Sequence, residues 1–132
     1  MVQGYVNLET PPMNARNVLG QPLLPCSLNP VTGFCRDGYC QLHPEDRGIH
    51  TLCAVMDERF LAFSAAVGND LSTPVPEYGF PGLQPGDSWC LCTLRWKQAL
   101  ESGFAPKVKL ASTHESVLEW LELADLQRYA AD

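Results

Sequence analysis

The six cysteines of this 132-residue chain constrain its fold more than any other feature, because they fall into two settings. Three lie in apolar runs of strand length, and three lie in a front segment interrupted by proline and glycine. The first three are Cys53, Cys90 and Cys92, and the other three are Cys26, Cys35 and Cys40. The proportion of cysteine is below the ~8–10% typical of disulfide scaffolds, and the N-terminus shows no secretory signal. We therefore expect a cytoplasmic protein with reduced thiols that serve packing, metal binding or catalysis.

The length and charge of the chain restrict its partners. We expect one domain over residues 16–132, preceded by an extended N-terminal segment at residues 1–15. The net charge of −6 disfavours binding to nucleic acid phosphates. No apolar run approaches the ~20 residues that cross a bilayer. The sequence therefore predicts neither a nucleic acid nor a membrane partner, keeps a small molecule as a candidate, and leaves the oligomeric state open.

The hydrophobic pattern predicts an α+β fold, with a small mixed or antiparallel sheet flanked by three or four helices and long ordered Gly/Pro-rich loops. The apolar run at residues 49–56 predicts a central strand buried on both faces. Shorter strands are expected at residues 89–92 and 107–110. The glycines and prolines of residues 69–87 predict a long ordered loop.

Capping residues predict where the helices begin. Asp57 is expected to cap a helix that ends before Gly68, and Thr93 a helix that runs to about Ser102. The run 112–115 matches a capping box, so a third helix is expected to begin there. Residues 125–130 either continue that helix or form a separate last one.

Cys90 and Cys92 are two residues apart on a predicted strand, so their thiols should lie on one face, too far apart to bond to each other. If the strand that carries Cys53 pairs alongside, three thiols and the imidazole of His50 would suit zinc or another soft metal. An alternative ligand set lies in the front segment and consists of Cys35, Cys40 and His43. The competing interpretation is that the cysteines are inert and pack as small apolar side chains.

A ligand pocket is the second candidate site. Polar residues of the 69–87 loop and the aromatic residues after them are expected to wall a pocket over the end of the sheet. The candidate pocket residues are Asn69, Asp70, Ser72, Thr73, Tyr78, Phe80, His50 and His114. The polar side chains of this loop could instead satisfy one another.

Short motifs spread along the chain carry a resemblance to a known family. They are Pro25-Cys26, Thr32-Gly33-Phe34, Pro44-Glu45-Asp46, His50-Thr51, Cys53-Ala54-Val55-Met56, Gly68-Asn69-Asp70-Leu71-Ser72-Thr73-Pro74, Phe80-Pro81-Gly82-Leu83, Pro85-Gly86-Asp87, Trp89-Cys90-Leu91-Cys92 and Thr113-His114-Glu115. Over about residues 16–130 the chain resembles an uncharacterised bacterial family, domain of unknown function 2237. The resemblance implies a small stand-alone soluble protein and supplies no activity, substrate or catalytic residue.

Three functions follow from these patterns. The first is a small-ligand or metal-binding module that uses the cysteine and histidine cluster beside the 69–87 loop. The second is a thiol-dependent enzyme of unknown reaction, whose candidate parts are Cys53, Cys90, His50, His114 and Asp70. The third is a structural or protein-interaction domain with inert cysteines. Whether the chain is an enzyme is left open.

Overall fold

The computed structural model describes residues 15–132, and a three-stranded antiparallel sheet lies at the centre of this part of the chain. Its strands are β1 (Leu52–Val55), β2 (Ser88–Leu91) and β3 (Lys107–Val108). β1 lies between the other two, which confirms the predicted central strand. The strand is shorter than the predicted 49–56 run because Ile49 adopts a left-handed backbone conformation, with φ of +52°, that no strand accommodates.

The described residues form three α-helices. These are α1 (Glu58–Ala66), α2 (Thr93–Ser102) and α3 (Leu123–Arg128). Asp57 caps α1 as predicted, since its Oδ1 accepts a hydrogen bond from the Phe60 backbone N–H at 2.7 Å. α2 begins one residue earlier than predicted, so Thr93 is its first residue and not its cap. The Thr93 hydroxyl does not bind the helix N-terminus; it donates to the Ile49 carbonyl at 3.0 Å.

The predicted capping box at residues 112–115 is wrong. The Ser112 hydroxyl donates to the carbonyl of Pro25 at 2.9 Å, and the Glu115 N–H donates to the carbonyl of Arg16 at 2.9 Å. These long-range partners take the groups that a capping box would use locally. Short 3₁₀-helices replace the expected α-helix, at Leu110–Ser112 and Glu115–Glu119. The C-terminal helix α3 is a separate element.

The two faces of the sheet are packed by different means. Cross-strand neighbours share a face, and Leu52 lies opposite Leu91 while Ala54 lies opposite Trp89. These four belong to the large apolar cluster, together with Phe60 of α1 and Trp96 of α2. We call this side of the sheet the apolar face.

The opposite side of the sheet carries Cys53, which lies directly across from Cys90. Both are bonded to cysteines of the front segment (residues 15–48), Cys53 to Cys26 and Cys90 to Cys40. These four buried half-cystines form a cluster of their own, and we call this side the cystine face. The front segment contains isolated bridges but no helix or named strand, and these two bonds join it covalently to the sheet.

The disulfides correct the expectation of reduced thiols, which is wrong for four of the six cysteines. The low proportion of cysteine led to the wrong expectation because it says nothing about the path of the chain. The front segment brings Cys26 and Cys40 against the sheet, where each can bond to a strand cysteine. Cys90 and Cys92 do not bond to each other, in agreement with their strand spacing.

The fold is α+β with an antiparallel sheet. Within residues 15–132, no helix combines the length and the apolarity needed to cross a membrane. Residues 1–14 of the predicted N-terminal segment lie outside the described residues, and the boundary of the domain at residue 16 stays a prediction.

Candidate functional site

A pocket of about 400 Å³ opens beside the edge strand β2. Three parts of the chain meet there, namely the front segment, the 69–87 loop and β2 itself. The lining residues are Gly33, Phe34, Arg36, His50, Leu71, Val75, Tyr78, Phe80, Trp89 and Cys90. This volume lies within the range of about 300–1,000 Å³ that is usual for small-molecule sites.

Aromatic side chains form one wall of the pocket. Phe80 meets Trp89 edge to face, with ring centroids 5.3 Å apart and an interplanar angle of 66°. Tyr78 is 80% exposed and projects at the pocket mouth. The wall therefore offers both a buried ring surface and a solvent-facing ring to a ligand.

Arg36 supplies a positive charge at the rim. Its guanidinium carbon lies 5.1 Å from the centroid of the Trp89 ring, within cation–π range. One guanidinium nitrogen, Nη1, donates to the carbonyl of Gly33 at 2.7 Å. Since a guanidinium has five N–H donors, others remain for an anionic group in the pocket.

His50 and Asp46 form a pair at the pocket. Nδ1 of His50 lies 2.7 Å from Oδ1 of Asp46, and Oδ2 of Asp46 accepts the His50 backbone N–H at 2.8 Å. The Asp46 side chain is 1% exposed, whereas that of His50 is 42% exposed. The carboxylate thus orients the ring, and Nε2 is the nitrogen left for a ligand or a proton transfer.

The backbone around His50 is unusually constrained. Ile49 is β-branched and has a φ of +52°, a conformation that costs about 1–3 kcal/mol. Its carbonyl accepts hydrogen bonds from both the N–H and the hydroxyl of Thr93, each at 3.0 Å, which hold it there. A Cβ at Gly48 would overlap the His50 ring, so this position requires glycine for close approach. The residues that precede His50, Gly48 and Ile49, therefore fix the position of its ring and backbone.

Polar residues of the 69–87 loop brace the loop itself. Asp70 accepts hydrogen bonds from the Thr73 hydroxyl at 2.6 Å and from the Ser72 N–H at 2.9 Å. The Thr73 hydroxyl bond, followed by the Ser72 N–H bond, lowers the pKa of the Asp70 carboxyl. Gly82 packs so closely on the Ser72 carbonyl that a Cβ would clash there. These contacts hold the segment that presents Leu71 to the pocket.

A smaller cleft of about 240 Å³ lies next to this pocket and shares His50 with it. It is lined by His50 together with Asn69, Arg95 and Cys92, which is a free cysteine. His50, Leu71 and Trp89 line both cavities. The cleft therefore brings a free thiol and the carboxylate-paired imidazole into one cavity.

The half-cystines gather at one point on the cystine face. The Sγ atoms of Cys26, Cys40 and Cys90 all lie within 4.8 Å of one another. Cys53 is bonded to Cys26, so four sulfur atoms occupy one buried volume. A group of three cysteine sulfurs at this spacing could hold a metal ion, but the disulfides occupy the ligand atoms in this structure.

The structure divides the predicted metal ligands between two places. Cys53 and Cys90 are cross-strand neighbours in the half-cystine cluster, whereas Cys92 and His50 line the smaller cleft. In the alternative set, Cys40 is a buried half-cystine and Cys35 is an exposed free thiol. The ring of His43 lies 4.9 Å from that of Phe34.

Partial burial, followed by the negative charges of Asp37 and Asp46, raises the pKa of Cys35. A nucleophilic cysteine needs the opposite shift, since the thiolate is the reactive form. Cys35 is exposed but lacks the environment of an activated nucleophile.

His114 has a local structural role. It precedes the 3₁₀-helix Glu115–Glu119, and its Nδ1 accepts the Ser116 N–H at 3.0 Å. Burial lowers the pKa of His114, opposed in part by the charge of Glu115, so the neutral ring that can accept this bond is favoured. His114 lines neither of the two cavities beside β2.

Sequence reasoning missed Arg36, Asp46 and Trp89 as site residues and Cys26 as a member of the sulfur cluster. Arg36 lies in a predicted turn, and Trp89 reads as an ordinary strand residue. The only local signal was the four-residue spacing of Asp46 and His50, with Gly48 between them, which allows a turn to bring the two side chains together.

Residues 16–130 match the model of a family described as an uncharacterized protein conserved in bacteria (DUF2237). No curated protein matches the chain. The family match spans the sheet, all three helices and both cavities. The chain therefore belongs to the DUF2237 family of uncharacterised bacterial proteins.

Proposed function

We propose that this protein binds a small molecule that has an aromatic or apolar body and an anionic group. The observation that carries the proposal is the convergence of Trp89, Phe80 and Arg36 on one pocket of about 400 Å³. Apolar and aromatic lining with a few placed polar groups is the usual composition of a ligand site.

The anionic group is inferred from the charges of the lining. No aspartate or glutamate is among the pocket residues, and Arg36 contributes a permanent positive charge, while the whole chain carries −6. A guanidinium binds a carboxylate or phosphate through paired hydrogen bonds. Nε2 of His50 is a second polar contact on the same pocket, oriented by Asp46.

The test compares matched aromatic ligands by isothermal titration calorimetry. A panel of aromatic carboxylates is paired with the corresponding neutral amides, for example 1-naphthoate with 1-naphthamide. We expect carboxylates to bind more tightly than their amides. Replacing Arg36 by asparagine, which tolerates the φ of +54° at this position, should weaken carboxylate binding about tenfold and leave amide binding nearly unchanged.

Arg59 provides a matched control, because its guanidinium lies 4.9 Å from the Phe104 ring in a separate groove on α1. Arg59→Gln should leave the affinity for carboxylates unchanged. The proposal fails if no carboxylate of the panel binds with a dissociation constant below about 1 mM, or if Arg59→Gln weakens binding as much as Arg36→Asn.

A thiol-dependent enzyme is the second candidate, favoured by the cleft that Cys92 and His50 share. In that function Cys92 would be the nucleophile and His50, oriented by Asp46, the base. Iodoacetamide labelling at a series of pH values tests it. Cys92 should then react well below pH 8.5, and His50→Asn should abolish this early reaction. Slow labelling of Cys92 at neutral pH would exclude the candidate.

We also retain the cytoplasm as the proposed compartment, although buried disulfides are more usual in oxidising surroundings. Cells are quenched with acid, the protein is denatured and alkylated without reduction, and mass spectrometry then distinguishes a reducing from an oxidising compartment. All six cysteines should be alkylated in a reducing compartment, and only the two free ones, Cys35 and Cys92, in an oxidising one.

A further inference from the structure

We propose that the half-cystine cluster becomes a zinc site when both disulfides are reduced. The ligands are the thiolates of Cys26, Cys40, Cys53 and Cys90. This site lies on the cystine face and does not depend on the proposed binding of an anionic small molecule.

The spacing of the sulfurs is close to that of a zinc–thiolate centre. Zinc binds sulfur at about 2.3 Å in a tetrahedron, which places neighbouring sulfurs about 3.8 Å apart. The Sγ atoms of Cys26, Cys40 and Cys90 already lie within 4.8 Å of one another. Cys53 lies directly across from Cys90 in the sheet and is bonded to Cys26, so its sulfur lies next to this group of three.

The backbone at three of these cysteines makes hydrogen bonds that do not involve sulfur. The Cys90 N–H donates to the hydroxyl of Thr32 at 2.8 Å, and the Cys53 N–H donates to the hydroxyl of Thr113 at 3.0 Å. The Cys26 N–H donates to the carbonyl of Gly38 at 2.7 Å. Cys53 is therefore held without the front segment, and the bond from Cys90 to Thr32 joins part of the front segment to β2 without a sulfur atom.

Burial explains why a metal would be retained. The four half-cystines are between 0% and 4% exposed, so a thiolate there is stable only beside a cation. Thiolate is the soft ligand that zinc prefers, and sites with four cysteines are typical of structural zinc.

The reaction balances with a dithiol as the reductant. Each disulfide takes two electrons and two protons from one dithiol, which is itself oxidised to a disulfide. Two dithiols thus yield four cysteine thiols. One Zn²⁺ then displaces four protons and leaves a tetrathiolate centre of charge −2, so zinc affinity should rise with pH.

The decisive experiment needs no mutation. The full chain is reduced with a dithiol, freed of reductant, and labelled with iodoacetamide with or without one equivalent of Zn²⁺; peptide mapping then shows which cysteines are alkylated. Without zinc we expect the four cluster cysteines to be alkylated more slowly than Cys35 and Cys92 but to completion, because a buried thiol reacts only when the structure opens locally. With zinc we expect only Cys35 and Cys92 to be alkylated over the same time. The oxidised chain should bind no zinc by elemental analysis.

Variants distinguish the cluster from the other cysteines. Cys40→Ser should lower zinc affinity at least tenfold, and Cys35→Ser, its matched control outside the cluster, should leave it unchanged. Co²⁺ in place of zinc should give the intense near-ultraviolet absorption of cobalt–thiolate bonds. Failure of zinc to protect the four cysteines in a chain that keeps its helical circular dichroism would overturn the proposal, as would protection of Cys35 or Cys92 instead.

Discussion

The two faces of the sheet are built from the same two strands and stabilised in opposite ways. On the apolar face, Leu52 and Leu91 pack under α1 and α2 in a continuous hydrophobic cluster. On the cystine face, Cys53 and Cys90 lie under a segment with no helix or named strand, joined to it by two disulfides. Regular elements bury a continuous apolar surface, whereas the irregular front segment depends on covalent bonds and single hydrogen bonds. Pocket residues such as Arg36 come from the second kind of structure.

The largest effect is expected on the apolar face. Trp96 is fully buried, and its indole N–H donates to the Pro106 carbonyl at 3.1 Å. Trp96→Ala should lower the free energy of unfolding by about 5 kcal/mol, because it leaves a large cavity and an unpaired carbonyl. Urea denaturation measures this loss, which should be the same with and without reductant. Leu94→Ala, at an exposed position of the same helix, should cost less than about 0.5 kcal/mol.

A slightly smaller effect is expected on the cystine face, and it should depend on redox conditions. Replacing both Cys40 and Cys90 by alanine removes a bridge between residues 50 positions apart, which corresponds to about 4 kcal/mol of chain entropy in the unfolded state. The free energy of unfolding of the double variant should be lower than that of the wild type under oxidising conditions, and the gap should close in reductant. An equal gap under both conditions would mean that the two faces do not differ in this way.

A single hydrogen bond on the cystine face should have an intermediate effect. Thr32 is buried, and its hydroxyl accepts the Cys90 N–H. Thr32→Val should cost about 2 kcal/mol, because it leaves that N–H buried without a partner. Thr32→Ser retains the hydroxyl and should recover most of the loss in urea denaturation. If valine and serine are equally destabilising, packing of the methyl group matters more than the hydrogen bond.

The smallest expected effect is the pH dependence that His114 adds. Because its pKa in the folded chain is below the ordinary value of 6.5, the unfolded chain binds a proton more readily. The stabilisation is therefore complete above pH 6.5 and is lost as the pH falls through and below that value. His114→Asn retains an acceptor for the Ser116 N–H without titrating, so its stability should fall less than that of the wild type between pH 7 and pH 5. If the free energies of unfolding of the wild type and of His114→Asn change equally between pH 7 and pH 5, His114 is not the source of the pH dependence.

The apolar face was predicted from the sequence better than the cystine face. Apolar periodicity and caps predicted β1 and α1, since both depend on neighbours along the chain. The partners of Cys53 and Cys90 were not predicted, because they lie 27 and 50 residues away and depend on the path of an irregular segment. In the pocket, His50, Tyr78 and Phe80 were chosen from sequence and lie in the lining.

Arg36 and Trp89 were not chosen, because nothing in their local sequence shows that the front segment lies against β2. Their proximity is a tertiary contact, with the Arg36 guanidinium carbon 5.1 Å from the Trp89 ring. The sequence therefore predicted the aromatic pocket residues of the 69–87 loop but not the pocket residues of the front segment.

The central claim is that the pocket beside β2 binds an anionic aromatic ligand. Chemical-shift mapping of the ¹⁵N-labelled chain during titration with 1-naphthoate tests it most directly, with the Trp89 indole signal assigned from Trp89→Phe. We predict the largest shifts at the Trp89 indole N–H, at Arg36 and His50, and along residues 71–80. Shifts confined to the groove of Phe63 and Phe104 on α1, or no shifts at all, would contradict the account.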